Sequence, residues 1–146
     1  MKTPRKICAL GIDYGLKNIG LAYGQSLTQT AQALPAIKAK DGIPNWEQME
    51  QVLSQWQPDI VVIGLPLNMD GSESELCKRV RKFGNRLHGR FNAQIDYMDE
   101  RLSSVAVKEE EKARGHKGDY GKNPIDSLAA QLILEDWLRA YSFSQD

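Results

Sequence analysis

The sequence predicts an α/β domain in which a single mixed sheet carries helices on both faces. Three observations predict it. "KICALGIDYGLKNIGLAYG" (6–24) holds an apolar run and then an alternating one, with only a short turn between them, as in two antiparallel strands. "DIVVIGLPL" (59–67) is a β-branched run without polar alternation, which fits a strand buried on both faces. Between and after these strands come segments whose apolar residues recur three and four apart, the spacing of amphipathic helices.

Taken in order, residues 7–13 form the first strand. Ile19, Leu21 and Tyr23 alternate in the second. Residues 30–39 make a weaker third strand, where Pro35 favours an edge. After the break "KDGIPN", residues 46–57 read as a helix through Met49, Val52, Leu53 and Trp56. The buried strand 59–67 follows. Ser72 and Glu75 form an S-x-x-E capping box that opens a helix running to about Gly89, with Leu76, Val80, Phe83 and Leu87 as its apolar stripe. Residues 93–98 are a short fifth strand, and 103–114 a charged helix ending at Gly115. A loop, "GHKGDYGK", leads to a last helix with Asn123 as cap and Pro124 as first helical residue. Its expected buried stripe is Ile125, Leu128, Ala129, Leu132 and Ile133. The expectation is one domain over 1–146, a five-stranded sheet, and loose termini at 1–5 and 142–146.

Composition narrows the function. With 146 residues, 41% of them hydrophobic, the chain can bury a core of its own. It has no apolar run long enough to cross a membrane, so a cytoplasmic location is expected. Cys8 and Cys77 lack metal-ligand spacing and read as buried thiols. Basic and acidic residues balance at 19 each, yet they are segregated: residues 76–95 carry six cations and no acid, whereas "EEE" stands at 109–111. Arg79, Lys82, Arg86 and Arg90 share one stripe of the basic helix and could track phosphates. A solvated face is the blander alternative.

The chemistry is expected at strand ends, because open α/β sheets bind ligands beyond the carboxyl ends of their strands. Asp13 ends the first strand, Asp99 and Glu100 end the fifth, and Asp126 stands in the first turn of the last helix. Each also has a local reading: Asp13 as a turn residue, Asp99 or Glu100 as a partner of Arg101, Asp126 as a helix-dipole acid. Together they form a hard, oxygen-rich set suited to Mg²⁺ or Mn²⁺. There is no P-loop, no GxGxxG and no nucleophile elbow. A hydrolase here would use metal-activated water, which suits phosphodiester cleavage.

Four blocks in order resemble the YqgF family, the Holliday-junction-resolvase-like or pre-16S rRNA nucleases: "GIDYGLKNIGLA" (11–22), "VIGLPLNMDGSES" (62–74), "DERLSS" (99–104) and "KNPIDSLAAQLILEDWL" (122–138). The resemblance covers nearly the whole chain. It implies a ribonuclease-H-like three-layer fold and a metal-dependent nuclease with Asp13, Glu100 and Asp126 as acidic triad. It also implies cytoplasmic maturation of the 5′ end of 16S rRNA, in contact with ribosomal precursor particles. The expected nucleic-acid contacts are Lys17, Arg79, Lys82, Arg86, Arg90, Arg101, Lys117 and Lys122. The family often has Lys-Arg where this chain has Lys17-Asn18, which leaves one cation there. Resolution of branched DNA and a non-catalytic RNA- or ribosome-binding module are the alternatives.

Overall fold

The computed structural model describes residues 6–102 and 125–144, with side chains described over 6–101 and 127–141. The elements are β1 (Cys8–Asp13), β2 (Asn18–Gln25), β3 (Thr30–Lys40), β4 (Ile43–Pro44), α1 (Trp46–Trp56), β5 (Ile60–Leu65), α2 (Glu75–Phe91) and β6 (Ile95–Asp99). A 3₁₀ turn at Glu100–Leu102 and a last helix, α3 (Ile125–Ser144), complete them. The strands lie in the order β4-β3-β2-β1-β5-β6. The first four run antiparallel to their neighbours, while β1, β5 and β6 are parallel. The sixth strand is β4, which pairs only Ile43 and Pro44 with β3 and is too short to leave a periodic signal. Pro35 falls where the β2–β3 register shifts, between Ile19↔Ile37 and Leu21↔Leu34. An irregular step is where a residue without an N–H donor disturbs a ladder least.

Alternation along β1 assigns the two faces. Leu10 and Ile12 join one core with Met49 of α1 and with Val80, Phe83 and Leu87 of α2. Ala9 joins the other, with Ala130, Ile133, Leu134, Trp137 and Leu138 of α3. Helices therefore cover both faces, as expected. Gly11 shows how tightly α3 lies on the sheet: a Cβ there would come within 2.8 Å of Leu134 Cβ and 2.9 Å of the Ala130 carbonyl.

Two stripes and one cap differ from the sequence reading. In α2, Cys77 is fully buried and Leu76 is 38% exposed, and the helix starts two residues later than the expected cap. The N-cap is Ser74, whose Oγ accepts from the Cys77 amide, whereas Ser72 bonds within the preceding loop. In α3, the sheet-facing side is Ser127, Ala130, Ile133, Leu134, Trp137 and Leu138, and Leu128 is 37% exposed. A buried serine disguised that face. Its hydroxyl accepts from Leu21 N of β2 and donates to the Leu34 carbonyl of β3, so a polar residue sits where an apolar one is expected. The predicted helix 103–114, the loop after it and the Asn123–Pro124 start lie outside the described residues.

Candidate active site at the carboxyl rim of the sheet

The rim is built from strand parity. Gly11 faces α3, so Asp13, two residues on, faces α3 as well. Its strand partner across β1–β2 is Gly20. On the other side, Ile12 pairs with Ile63, which brings Asp13 level with Gly64 on β5. Gly64 also faces α3, for a Cβ on it would lie 2.6 Å from Ile133 Cδ1. The same Cβ would lie 2.9 Å from Glu100 Oε1. The Glu100 carboxylate thus folds back over Gly64, toward the strand that ends in Asp13. Adjacent strands are about 4.8 Å apart, so the two acids share one small region of one face. A glycine inside an apolar strand often marks such a close approach, and Gly64 in "VVIGLP" is the signal that sequence reading passed over.

Asp99 points the other way. Arg101 grips its carboxylate with Nε and Nη2, at 3.1 and 2.8 Å, and with its own backbone N–H at 2.9 Å. These donors hold the Asp99 carboxyl below the usual carboxylate range. Arg101 also donates Nη1 to the Met69 carbonyl at 3.2 Å, tying the β5–α2 loop to the end of β6. That loop is braced internally, with Asp70 accepting from both the amide and the hydroxyl of Ser72. Glu100, not Asp99, is the acid that shares a face with Asp13.

Asp126 enters through its backbone. Ser127 is bonded to Leu21 and Leu34, and Leu21 pairs with Ile12. Farther along α3, Gln131 donates to the Ala31 carbonyl and Leu138 approaches Gly24. The helix therefore starts at the Asp13 end of β1 and runs back along β2, which sets residue 126 at the same rim. The Asp126 side chain lies outside the described ones. Among the described residues, no three His, Cys, Asp or Glu side chains gather around a common point. The described part of the candidate cluster is the pair Asp13 and Glu100.

The expected cations separate by their partners. Arg79 donates to the carboxylate and carbonyl of Asp41, at 3.2 and 3.4 Å. Arg90 stacks on Trp46, its guanidinium carbon 4.3 Å from the ring centroid. Arg101 is committed to Asp99 and Met69. Lys17 is exposed in the β1–β2 turn. Lys82 and Arg86 line a cleft of about 220 Å³ on the α2 face. Lys117 and Lys122 lie outside the described residues. Among the described residues, no helix is long and apolar enough to cross a membrane.

Residues 7–140 match the family RuvX, described as Holliday junction resolvase. A relative from Saccharophagus degradans named "Putative pre-16S rRNA nuclease" is 55% identical over 132 residues, covering 90% of this chain and 93% of its own. A relative of the same name from Mannheimia succiniciproducens is 53% identical, covering 93% and 97%. Among solved structures, Thermus thermophilus RuvC in complex with a Holliday junction substrate superposes with a TM-score of 0.52 at 17% identity, covering 94% of this chain and 96% of that one. At that identity the likeness speaks for the fold, which is ribonuclease-H-like. With a family match over nearly its whole length and relatives more than half identical, the chain belongs to the RuvX family.

Proposed function

We propose that this protein is a divalent-metal-dependent endonuclease that cleaves precursor 16S rRNA near its 5′ end in the cytoplasm. The carrying observation is the rim: Asp13 and Glu100 share the α3 face across Gly64, at the carboxyl ends of β1 and β6. The names of the close relatives support the substrate. Ribosomal precursor particles are the setting in which such an RNA is met.

The donor chemistry fits hard cations. Carboxylate oxygens suit Mg²⁺ or Mn²⁺, and the missing side chain at Gly64 is what lets the Glu100 carboxylate lie against the strand beside Asp13. Asp13, Glu100 and Asp126 are the residues that would hold them. Bound ions would supply a water of lowered pKa and offset charge on the attacking and leaving oxygens. The chain's own part is positional. Ser127 pins the start of α3 to β2 and β3, and so fixes where residue 126 stands. Arg101 withdraws Asp99 from the site and braces the 66–74 loop beside it.

The test is cleavage of precursor 16S rRNA and of four-way DNA with Mg²⁺ or Mn²⁺, by wild type and by Asp13→Asn. We expect the RNA to be cut and Asp13→Asn to lose at least about 100-fold in rate, the scale on which removing a key electrostatic group acts. Undiminished cleavage by Asp13→Asn would sink the site assignment. The family description favours a second reading, junction resolution. Symmetric cutting of a four-way junction calls for a two-fold dimer. Preference for four-way DNA, together with a dimeric solution mass, would select it.

A further inference from the structure

Asp13 and its neighbour Tyr14 sit at one strand end but serve opposite faces. Asp13 faces α3, whereas Tyr14 packs into the other core, its ring 4.9 Å from that of Phe83 on α2. Above Tyr14 lies the β3–β4 turn. Its Gly42 has φ +82°, and a Cβ there would fall 1.9 Å from the Tyr14 hydroxyl, which instead donates to the Gly42 carbonyl at 3.0 Å. The Gly42 amide donates to the Leu16 carbonyl at 2.9 Å. A left-handed glycine and a tyrosine thus lock the turn onto the end of β1, and α2 closes the third side. This encloses the cleft of about 220 Å³.

Its charge is net positive. Arg79, Lys82 and Arg86 face it from α2, and Asp41 answers from the turn. Asp41 is taken by Arg79. Among the described residues, Lys82 and Arg86 have no carboxylate partner, and both are exposed. Burial pushes the Tyr14 hydroxyl up, against the opposing pull of the Arg79 and Arg86 guanidiniums. Elsewhere on the same helix Lys78 pairs with Glu75, Arg81 with both oxygens of Glu73, and Arg90 lies over the Trp46 ring. Two cations left over a walled cleft make a socket for one tetrahedral anion, and a phosphate fits that chemistry.

We propose that this cleft takes a backbone phosphate of the substrate, held by Lys82 and Arg86 after the strand has crossed the end of β1 from the carboxylate face. The substrate is therefore single-stranded on one side of the bond that is cut. The second step is mechanical. A chain touching both Asp13 and the Tyr14 cleft must turn around a single strand end, whereas duplex DNA stays stiff over about 150 base pairs. A single strand bends freely at that scale. The proposal rests on the nuclease reading of the Asp13–Glu100 face.

The test uses the full chain with two oligonucleotides of equal length, a hairpin with a single-stranded tail and a blunt duplex. Binding is followed by fluorescence anisotropy in the Asp13→Asn background, and cleavage by kcat and KM. We expect Lys82→Gln with Arg86→Gln to weaken binding of the tailed RNA about tenfold and to lower the slope of log affinity against log salt by about 0.7, one single-strand phosphate. KM should rise in parallel, kcat should stay within twofold, and the blunt duplex should be unaffected. Arg81→Gln, whose cation is committed to Glu73, should change neither. Equal losses on both oligonucleotides, or no loss on the tailed one, overturn the proposal. Inorganic phosphate separates the sources: if it shifts the Gly42 and Lys82 amide signals in NMR but tailed RNA does not, the cleft is a small-anion site and the proposal falls. If nothing is cleaved yet tailed RNA still binds through Lys82 and Arg86, the nuclease reading fails and the cleft stands.

Discussion

At the scale of single residues, the site depends on which of two adjacent acids turns toward α3. Asp99 is the last residue of β6 and Glu100 the first of the 3₁₀ turn, and the chain's turn there sends the two carboxylates apart. Asp99 is occupied by Arg101, while Glu100 reaches over Gly64. Glu100→Gln should therefore cost at least about 100-fold in cleavage, on the scale of losing a preorganised electrostatic group, and Asp99→Asn less than about tenfold. Rates on precursor 16S rRNA decide it, and the reverse order would move the site to the other face. Gly64→Ala should also cut activity by tenfold or more without unfolding the chain, since its methyl meets a flexible carboxylate and the Cδ1 of Ile133 rather than backbone. Circular dichroism alongside the rate separates the two effects. Asp13 was legible in the sequence because a carboxylate closing an apolar run is conspicuous. Gly64 was not, because what it makes room for comes from a residue 36 positions later in the chain.

At the scale of elements, α3 is both the cover of one face and the bracket that sets residue 126. Its start is fixed by Ser127, a fully buried hydroxyl bonded to β2 and β3. Ser127→Ala leaves the Leu34 carbonyl short of a donor in a dry place, so it should cost about 1–3 kcal/mol in denaturant unfolding. It should also lower cleavage more than Leu134→Ala does, although that change empties core volume and costs about 2–5 kcal/mol. If the two variants lose activity in proportion to stability, the bracket role is wrong. Element types came through the sequence well because period is a local property, as with β5 and α1. Faces came through less well. A stripe is read by hydrophobicity, and Ser127 and Cys77 broke it on the buried side while Leu128 and Leu76 mimicked it on the wet side. The β5–α2 loop adds a pH prediction. Arg101 holds the Asp99 carboxyl below its ordinary value of 3.8. A depressed carboxylate contributes stability above its unfolded pKa and loses it as pH falls through the folded one. The tie to the Met69 carbonyl should thus persist at neutral pH and loosen only below about pH 4, the ordinary carboxylate range. Amide exchange or NMR line widths at Met69–Gly71 would show it, and loosening already near pH 6 would contradict it.

At the scale of the molecule, the two faces are built for different tasks. The α1–α2 face is filled by large side chains, with Tyr14, Trp46 and Phe83 in ring contact. The α3 face is packed close through small ones, Ala9, Gly11, Ala22 and Ala130, and it carries the carboxylates at its rim. Like charges brought to one edge of a face repel, so on the proposed function the metal-free rim should cost the fold some stability. On the same reading a divalent cation would reverse that cost, because it would bind the folded arrangement and not the unfolded chain. At one hundred times its dissociation constant a ligand adds about 2.7 kcal/mol. For a chain of this size that amounts to a rise in Tm of roughly 5–10 °C. Wild type should therefore melt higher in Mg²⁺ than in EDTA by that order. Asp13→Asn should melt above wild type in EDTA, having lost a repulsive charge, and should gain a degree or less from Mg²⁺. Asp41→Asn, which removes an exposed carboxylate from the opposite face, should keep the full response. If Asp13→Asn responds to Mg²⁺ as wild type does, the cation binds elsewhere, and the rim acids must be explained without it.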